Sequence, residues 1–338
     1  MRSGVLCVGT VAVDYTKTID ALPELESLVL IEEVTQSTGG PGLNIAFDLL
    51  HLNAELPVEA IGCIAADSAG DYILEQTTSA GIVNSRMQRA ITQQTSFSDA
   101  LTLTSSGKRT FLFHSGSNDE LDLSLIDADL NHPKILHVGA AGLHRYADNS
   151  NQWVELLKRA QALGIHTNME MVYLAPSRTR ELVLPCLPHL TSLVINESEA
   201  AALLDTSLKV ENPDSFVDWE TLEQAAVSLI NLGVNQLVVI HTPAGAVGAN
   251  ADGDTWRQGS VKVPQDRIKG TTGAGDAFAA GILYGLHESW TVAESLALAV
   301  ATAAQNIQSE FSAAGISPVE ETLALAAALG YRRTTQDS

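Results

Sequence analysis

The sequence predicts an α/β fold: a mostly parallel sheet with helices on both faces, accompanied by a small separate β-sheet. Three observations carry this reading. Short apolar runs end in Gly, Asn or His, as buried parallel strands do. Helix-length stretches fill the intervals between them, several closed by glycine. Two further stretches alternate apolar and polar residues out of step with that rhythm, which predicts half-buried strands outside the main sheet.

In chain order the strand runs are VLCVG at 5–9, EAIGCI at 59–64, KILHVG at 134–139, GIHTNM at 164–169, SLVINE at 192–197 and QLVVIH at 236–241. The helical stretches are NIAFDLLHLN at 44–53, AGDYILEQTTSAG at 69–81, NQWVELLKRAQALG at 151–164, ESEAAALLD at 197–205 and TLEQAAVSLINLG at 221–233. The out-of-step stretches, 11–36 and 97–113, read as antiparallel strands of a small lid, with SSGK at 105–108 as a hairpin turn. From residue 277 onward the chain is rich in Ala and Leu and helical, and RRTTQDS at its end reads as a frayed tail. Residues 1–338 are therefore read as one α/β domain into which the lid segments are inserted.

Composition excludes some partners. The chain has 40 acidic residues against 19 Lys plus Arg, a formal net charge of −21. Such a field repels nucleic acid and anionic membranes, and a phosphorylated ligand would need a local positive site. Cys7, Cys63 and Cys186 lie far apart among apolar residues with no CxxC spacing, which predicts buried thiols in a reducing cytoplasm. VLCVGTVAV at 5–13 is too short to span a bilayer and lacks the flanks of a signal peptide.

Residues 268–281, IKGTTGAGDAFAAG, form a glycine-rich turn running into a helix. A helix start presents unpaired N–H groups and the positive end of its dipole, so it attracts anions without a lysine. Asp276 at that point is either a helix cap or a base beside a bound phosphate. No GxxxxGK[ST] loop occurs, and no GxGxxG follows the first strand, which argues against P-loop and dinucleotide-binding folds. Asn196 and Glu199 sit three apart at a strand end, either as a reciprocal capping pair or as polar groups near phosphate.

Together these segments resemble the ribokinase-like, or PfkB-type, carbohydrate kinases. GTTGAGDAFAAG at 270–281 looks like the second signature of that family, and GGPGLNIA at 39–46 is similar to the first. VLCVGTVAVD at 5–14, IGCIAADSAGDYILEQTTSAGI at 61–82 and INESEA at 195–200 match further family segments in the right order, so the resemblance covers most of the chain. It implies a doubly wound sheet with a small β lid, and an ATP-dependent sugar kinase using Mg²⁺. The backbone N–H groups of Gly273, Ala274 and Gly275 would form an anion hole, and Asp276 would take the acceptor's proton. Asp14, Gly40 and Asn44 match sugar-contacting positions, and Arg109, Asn168 and Glu170 would complete the acceptor site. On the nucleotide side the resemblance implies Asn196, Glu199, Thr242 and Gly245, with Glu199 ordering Mg²⁺ through water. His114 and Asn118 lie nearby, His114 reading as a packed side chain. The exposed face of the lid offers a homodimer contact.

Three departures qualify the resemblance. Gly270 stands where relatives usually carry Asp, in a region that in many of them holds a monovalent cation, which argues against potassium activation here. Around HTPAGA at 241–246 only Gly245 keeps the family's glycine pattern, with Ile240 and Thr242 at the earlier places. Ala12 sits where Asn often precedes the Asp, which argues against ribose. The alternatives to a sugar kinase are a nucleoside kinase on the same scaffold and a ligand-binding protein without turnover.

Overall fold

The computed structural model describes every residue except 1, 106, 108, 130, 173, 211, 215, 216, 310–312, 314 and 335–338. Part of the SSGK turn and the last residues of the tail therefore lie outside the described residues. Strand β1 (Val5–Gly9) is buried throughout, and β2 (Ala12–Ile19) leaves the main sheet immediately after it. β3 (Ile31–Gly39) returns antiparallel to β2 and delivers the chain to α1 (Pro41–Leu52). Then come β4 (Val58–Ile61), β5 (Cys63–Ile64), α2 (Ser68–Ala80), β6 (Gln88–Arg89), β7 (Phe97–Leu103) and β8 (Arg109–His114). The second half alternates: β9 (Ile135–Ala141), α3 (Arg145–Asn149), α4 (Gln152–Ala162), β10 (His166–Met171), α5 (Pro176–Val183), β11 (Ser192–Asn196) and α6 (Glu197–Leu204). It continues with α7 (Trp219–Asn231), β12 (Leu237–Thr242), β13 (Gly245–Asn250) and β14 (Thr255–Gly259), and closes with α8 (Ala274–His287), α9 (Val292–Asn306) and α10 (Val319–Leu329).

The main sheet has the order β14-β13-β12-β11-β10-β9-β1-β4. It is parallel from β4 to β12, as the apolar runs predict, and ends in an antiparallel extension of β13 and β14. Its inner strand β13 was not legible, because GAVGAN has Val247 as its one β-branched residue among Gly, Ala and Asn. Its small residues have a packing reason: a Cβ on Gly248 would lie 3.3 Å from Val292 Cγ1 of α9. The run at 59–64 is also split, since β5 turns away to pair with β6.

The side chains of β1 alternate between two cores, the period of two that a pleated strand imposes. Leu6 and Val8 join Trp153, Leu157 and Leu229 on one face, and Val5 and Cys7 join Leu43, Leu49, Phe278 and Ile282 on the other. The Ala/Gly-rich C-terminal third is explained by α8 against α9, where a Cβ on Gly281 would come within 2.6 Å of Ala299 Cα. Cys7, Cys63 and Cys186 are buried free thiols, as expected.

A smaller sheet has the order β3-β2-β7-β8. Its pairs β2–β3 and β7–β8 are antiparallel, but β2 and β7 run parallel, which corrects the expectation of antiparallel pairing. The connection between them passes through α1 and α2, and only such a long crossover lets neighbouring strands share a direction. Residues 20–30, within the stretch expected to be strand, form turn and irregular chain.

Candidate active site

Two helix starts face each other at the C-terminal end of the parallel strands. At the first, Gly40 has φ 92° and ψ 139°, a region open essentially to glycine, and a Cβ there would lie 2.5 Å from Thr10 O. Pro41 opens α1, and Gly42 N–H donates to Thr10 O at 3.2 Å, so the first turn is fastened to the end of β1. This holds Asn44, itself buried, on the inner side of the turn. At the second start, Gly273 is left-handed at φ 81° and precedes α8 with no side-chain cap.

Asp276 lies in the first turn of α8, and Asn44 Nδ2 donates to its Oδ2 at 2.6 Å. The carboxylate therefore reaches across to the other turn instead of capping its own helix. The helix ladder begins with Ala277 N–H to Gly273 O at 2.8 Å, while Ala274 N–H makes a longer bond, 3.3 Å, to Thr271 O three residues back. Ala274, one of three amides expected in the anion hole, is thus partly engaged within the turn.

Around Asp276 lie more acids than the sequence suggests. Burial is the main force raising the Asp276 carboxyl to about 8, and the negative charge of Glu170 adds to it, with Asn44 opposing. Burial likewise raises Glu170 to about 8. Asp48, one helical turn beyond Asn44, is fully buried, and neither of its carboxyl oxygens makes a hydrogen bond among the described residues. Its pKa is pushed well up by burial, then by Asp276 and Glu170. Periodicity does not reveal it, since LNIAFDLL reads as an ordinary helical face.

His137 was also missed, inside an apolar strand. Burial lowers its pKa to about 4, so the ring is neutral. Asn168 Nδ2 donates to Ser192 Oγ at 2.8 Å, which makes its Oδ1 the acceptor for His137 Nδ1–H at 2.8 Å. That leaves His137 Nε2 a lone-pair acceptor 3.8 Å from Glu170 Oε1, with neither atom otherwise hydrogen-bonded among the described residues. Both converge on Gly139, where a Cβ would meet Glu170 Oε1 at 3.1 Å and His137 Nε2 at 3.4 Å. Asn168 is completely buried and spent on this scaffold, while Glu170 keeps a free oxygen.

Asp14, at the start of the small sheet, accepts a hydrogen bond from Ser98 Oγ and lies against Gly39. Burial raises its pKa, opposed by Ser98 and by the positive charge of Arg109. Arg109 begins β8 and lies against Gly270. His114 packs its ring on Phe97 at 5.2 Å, as a packed histidine should, and Asn118 is bonded both ways to the Val11 backbone.

The family model described as pfkB family carbohydrate kinase matches residues 2–318. The chain belongs to this family. It is 22% identical over 323 residues to a 5-dehydro-2-deoxygluconokinase from Clostridium botulinum, covering 93% of this chain and 90% of that protein. A ribokinase from Lactococcus lactis is 24% identical, with 92% of each chain covered. Among solved structures, Arabidopsis thaliana ribokinase complexed with ribose and ATP superimposes with a TM-score of 0.80 at 19% identity, covering 96% of this chain and 99% of that one. Ribokinase architecture, with its mostly parallel main sheet and a smaller second sheet, is therefore the fold of this carbohydrate kinase.

In this pfkB-family chain Asn196, at the end of β11, and Glu199, in the first turn of α6, form a complete capping box. Glu199 N–H donates to Asn196 Oδ1 at 2.9 Å, and Asn196 N–H to Glu199 Oε2 at 3.0 Å. Burial raises Glu199 to about 8. Thr242 is buried and accepts from Ala244 N–H at 3.1 Å within the β12–β13 turn, and Gly245 occupies φ 152° there. His241, next to Thr242, packs on Phe278 at 4.8 Å and lies 3.7 Å from a Cβ built on Gly275. The ring thus lines the start of α8, a position that the sequence reading passed over. No helix among the described residues is long and apolar enough to cross a membrane.

Proposed function

We propose that this carbohydrate kinase transfers the γ-phosphoryl group of ATP to a hydroxyl of a monosaccharide or related polyol, with Asp276 as the general base. The observation carrying this is the Asn44–Asp276 contact, which joins the two glycine-rich turns and aims a carboxyl away from its own helix. A helix start beside that carboxyl suits a phosphoryl group, because the dipole and unpaired N–H groups stabilise the charge that builds during transfer. The acceptor lies between Asp14, Gly40 and Asn44 on one side and Glu170 with His137 on the other. Asn168 holds the His137 ring from behind instead of touching the sugar.

Gly273, Ala274 and Gly275 cradle the phosphoryl oxygens, with Ala274 exchanging its long bond to Thr271 for the anion. Thr242 and Gly245 shape the nucleotide's side of the turn. The oxygen donors of Asn196 and Glu199 suit Mg²⁺, but the capping box already uses an oxygen of each, which favours contact through water over direct ligation. When bound with ATP, the ion neutralises phosphate charge. The small sheet serves as a lid, and Phe111, Leu112, Phe113 and Val34 on its exposed strands favour a homodimer through it.

The test is a panel of fructose, ribose, 2-keto sugar acids, tagatose phosphate and adenosine with MgATP, repeated with Asp276→Asn. Loss of the proton acceptor is expected to reduce kcat by roughly 10²-fold or more. A variant that retains most of its activity would rule out Asp276 as base, and a clear preference for adenosine would replace the sugar.

A further inference from the structure

The structure points to a second charged group at the phosphoryl-transfer turn, delivered by the small sheet. The hairpin β7–β8 reaches the residues just before α8 at two places. A Cβ built on Gly107 lies 3.7 Å from Lys269 O, and one built on Gly270 lies 3.6 Å from both Arg109 Cζ and Arg109 Nη2. The turn is itself fastened from below, Lys269 N–H donating to Ile307 O at 2.8 Å. The positive charge of Arg109 also lowers the Asp14 carboxyl, opposing burial, so the guanidinium beside the phosphate turn acts electrostatically on the acceptor's carboxylate as well. The backbone does not require glycine at 270, since its φ is not left-handed and a Cβ would make only ordinary contacts. What a larger side chain would take away is the space beside the guanidinium fork.

We propose that Arg109 is a catalytic residue: its guanidinium binds the equatorial oxygens of the γ-phosphoryl group in transit, and Gly270 leaves the room for it. This rests on the kinase reading above and changes the role of Arg109 from sugar contact to phosphoryl contact. In the step, the acceptor O–H gives its proton to Asp276, and its oxygen forms a bond to the γ-phosphorus. The bond from that phosphorus to the bridging oxygen breaks, with the electron pair leaving on ADP. Negative charge stays spread over the equatorial oxygens throughout, close to the carboxyls of Asp14 and Asp276. A planar, permanently charged fork meets two of those oxygens at once. It also supplies the local positive charge that a protein of net charge −21 needs to hold a phosphorylated ligand.

Wild type, Arg109→Met, Arg109→Lys and Gly270→Asp are compared for kcat, for acceptor KM and for the affinity ratio of ATP to ADP by calorimetry, with thermal melts as the check on folding. Arg109→Met should lose about 10²-fold or more in kcat while acceptor KM stays within about threefold. Arg109→Lys should recover only part, because it lacks the fork. Gly270→Asp should lose comparably, its new carboxylate pairing with the guanidinium and withdrawing it. An Arg109→Met enzyme with kcat within about threefold of wild type, or one whose loss lies wholly in acceptor KM, overturns the inference. Should wild type transfer phosphate to nothing in the panel, the kinase reading fails, and the nucleotide ratio judges Arg109 alone. Wild type should favour ATP about tenfold and Arg109→Met should not, on the ground that only ATP carries the group the fork binds. Equal ratios in the two proteins sink the inference.

Discussion

Asn44 and Asp276 stand 232 positions apart in the chain and meet across 2.6 Å, amide Nδ2 donating to carboxyl Oδ2. That one bond ties the first turn of α1 to the first turn of α8 and opposes, without cancelling, the rise that burial imposes on Asp276. Replacing Asn44 by Leu removes the opposition. The carboxyl should then ionise at still higher pH than about 8, and the acid limb of kcat should move upward. A pH–rate profile between pH 6 and 9 checks this, and an unmoved limb would separate Asn44 from the base.

Glu170 acts in the other direction, since its charge raises Asp276. Glu170→Gln should shift the acid limb to lower pH, so that activity survives acidification better even if the acceptor's KM increases. The two carboxyls titrate as a coupled system, and the profile reports values belonging to the pair.

Stability should fall as pH rises from about 6.5 to about 8. Glu170 and Glu199 are raised to about 8 and Asp48 well above its ordinary range, so they stay protonated when folded and ionise on unfolding. The unfolded state then binds fewer protons, which gives a negative slope of about 1.4 kcal/mol per pH unit for each group. His137, His144, His166 and His241, lowered to about 4, weaken the fold only as pH drops below 6.5. Urea melts across pH 6.5–8 measure the slope, and Asp48→Asn should make it shallower; an identical slope would mean that Asp48 is ionised in the fold.

Gly40→Ala should destabilise the protein by about 1–3 kcal/mol, because φ 92° is costly for alanine and its methyl would press on Thr10 O. The strain falls on the turn that carries Asn44, so kcat should drop in the variant that still folds. The urea midpoint and kcat are measured on the same preparation. A midpoint unchanged from wild type would mean that the turn relaxes freely.

Much of the fold is legible because its signals are local. Each parallel strand is buried on both faces and so reads as an apolar run, and each glycine-rich turn advertises the backbone geometry it needs. The capping box of Asn196 and Glu199 was readable as one of two alternatives, since both partners lie within one helical turn. The strand GAVGAN, which lies between β12 and the edge strand β14, was not legible, because its composition answers to the helix packed on it and not to strand propensity.

At the site the division is sharper. The sequence by itself determined the family resemblance, the two turns, and the residue types at Asp14, Asn44 and Asp276, because motif order and spacing are properties of the chain. Only the tertiary structure brought Asp48, Glu170 and His137 around Asp276, spent Asn168 on holding His137, and laid Arg109 beside Gly270. Those relationships join strands and helices far apart in sequence, and the protonation states follow from burial and neighbouring charge, which exist only once the chain has folded.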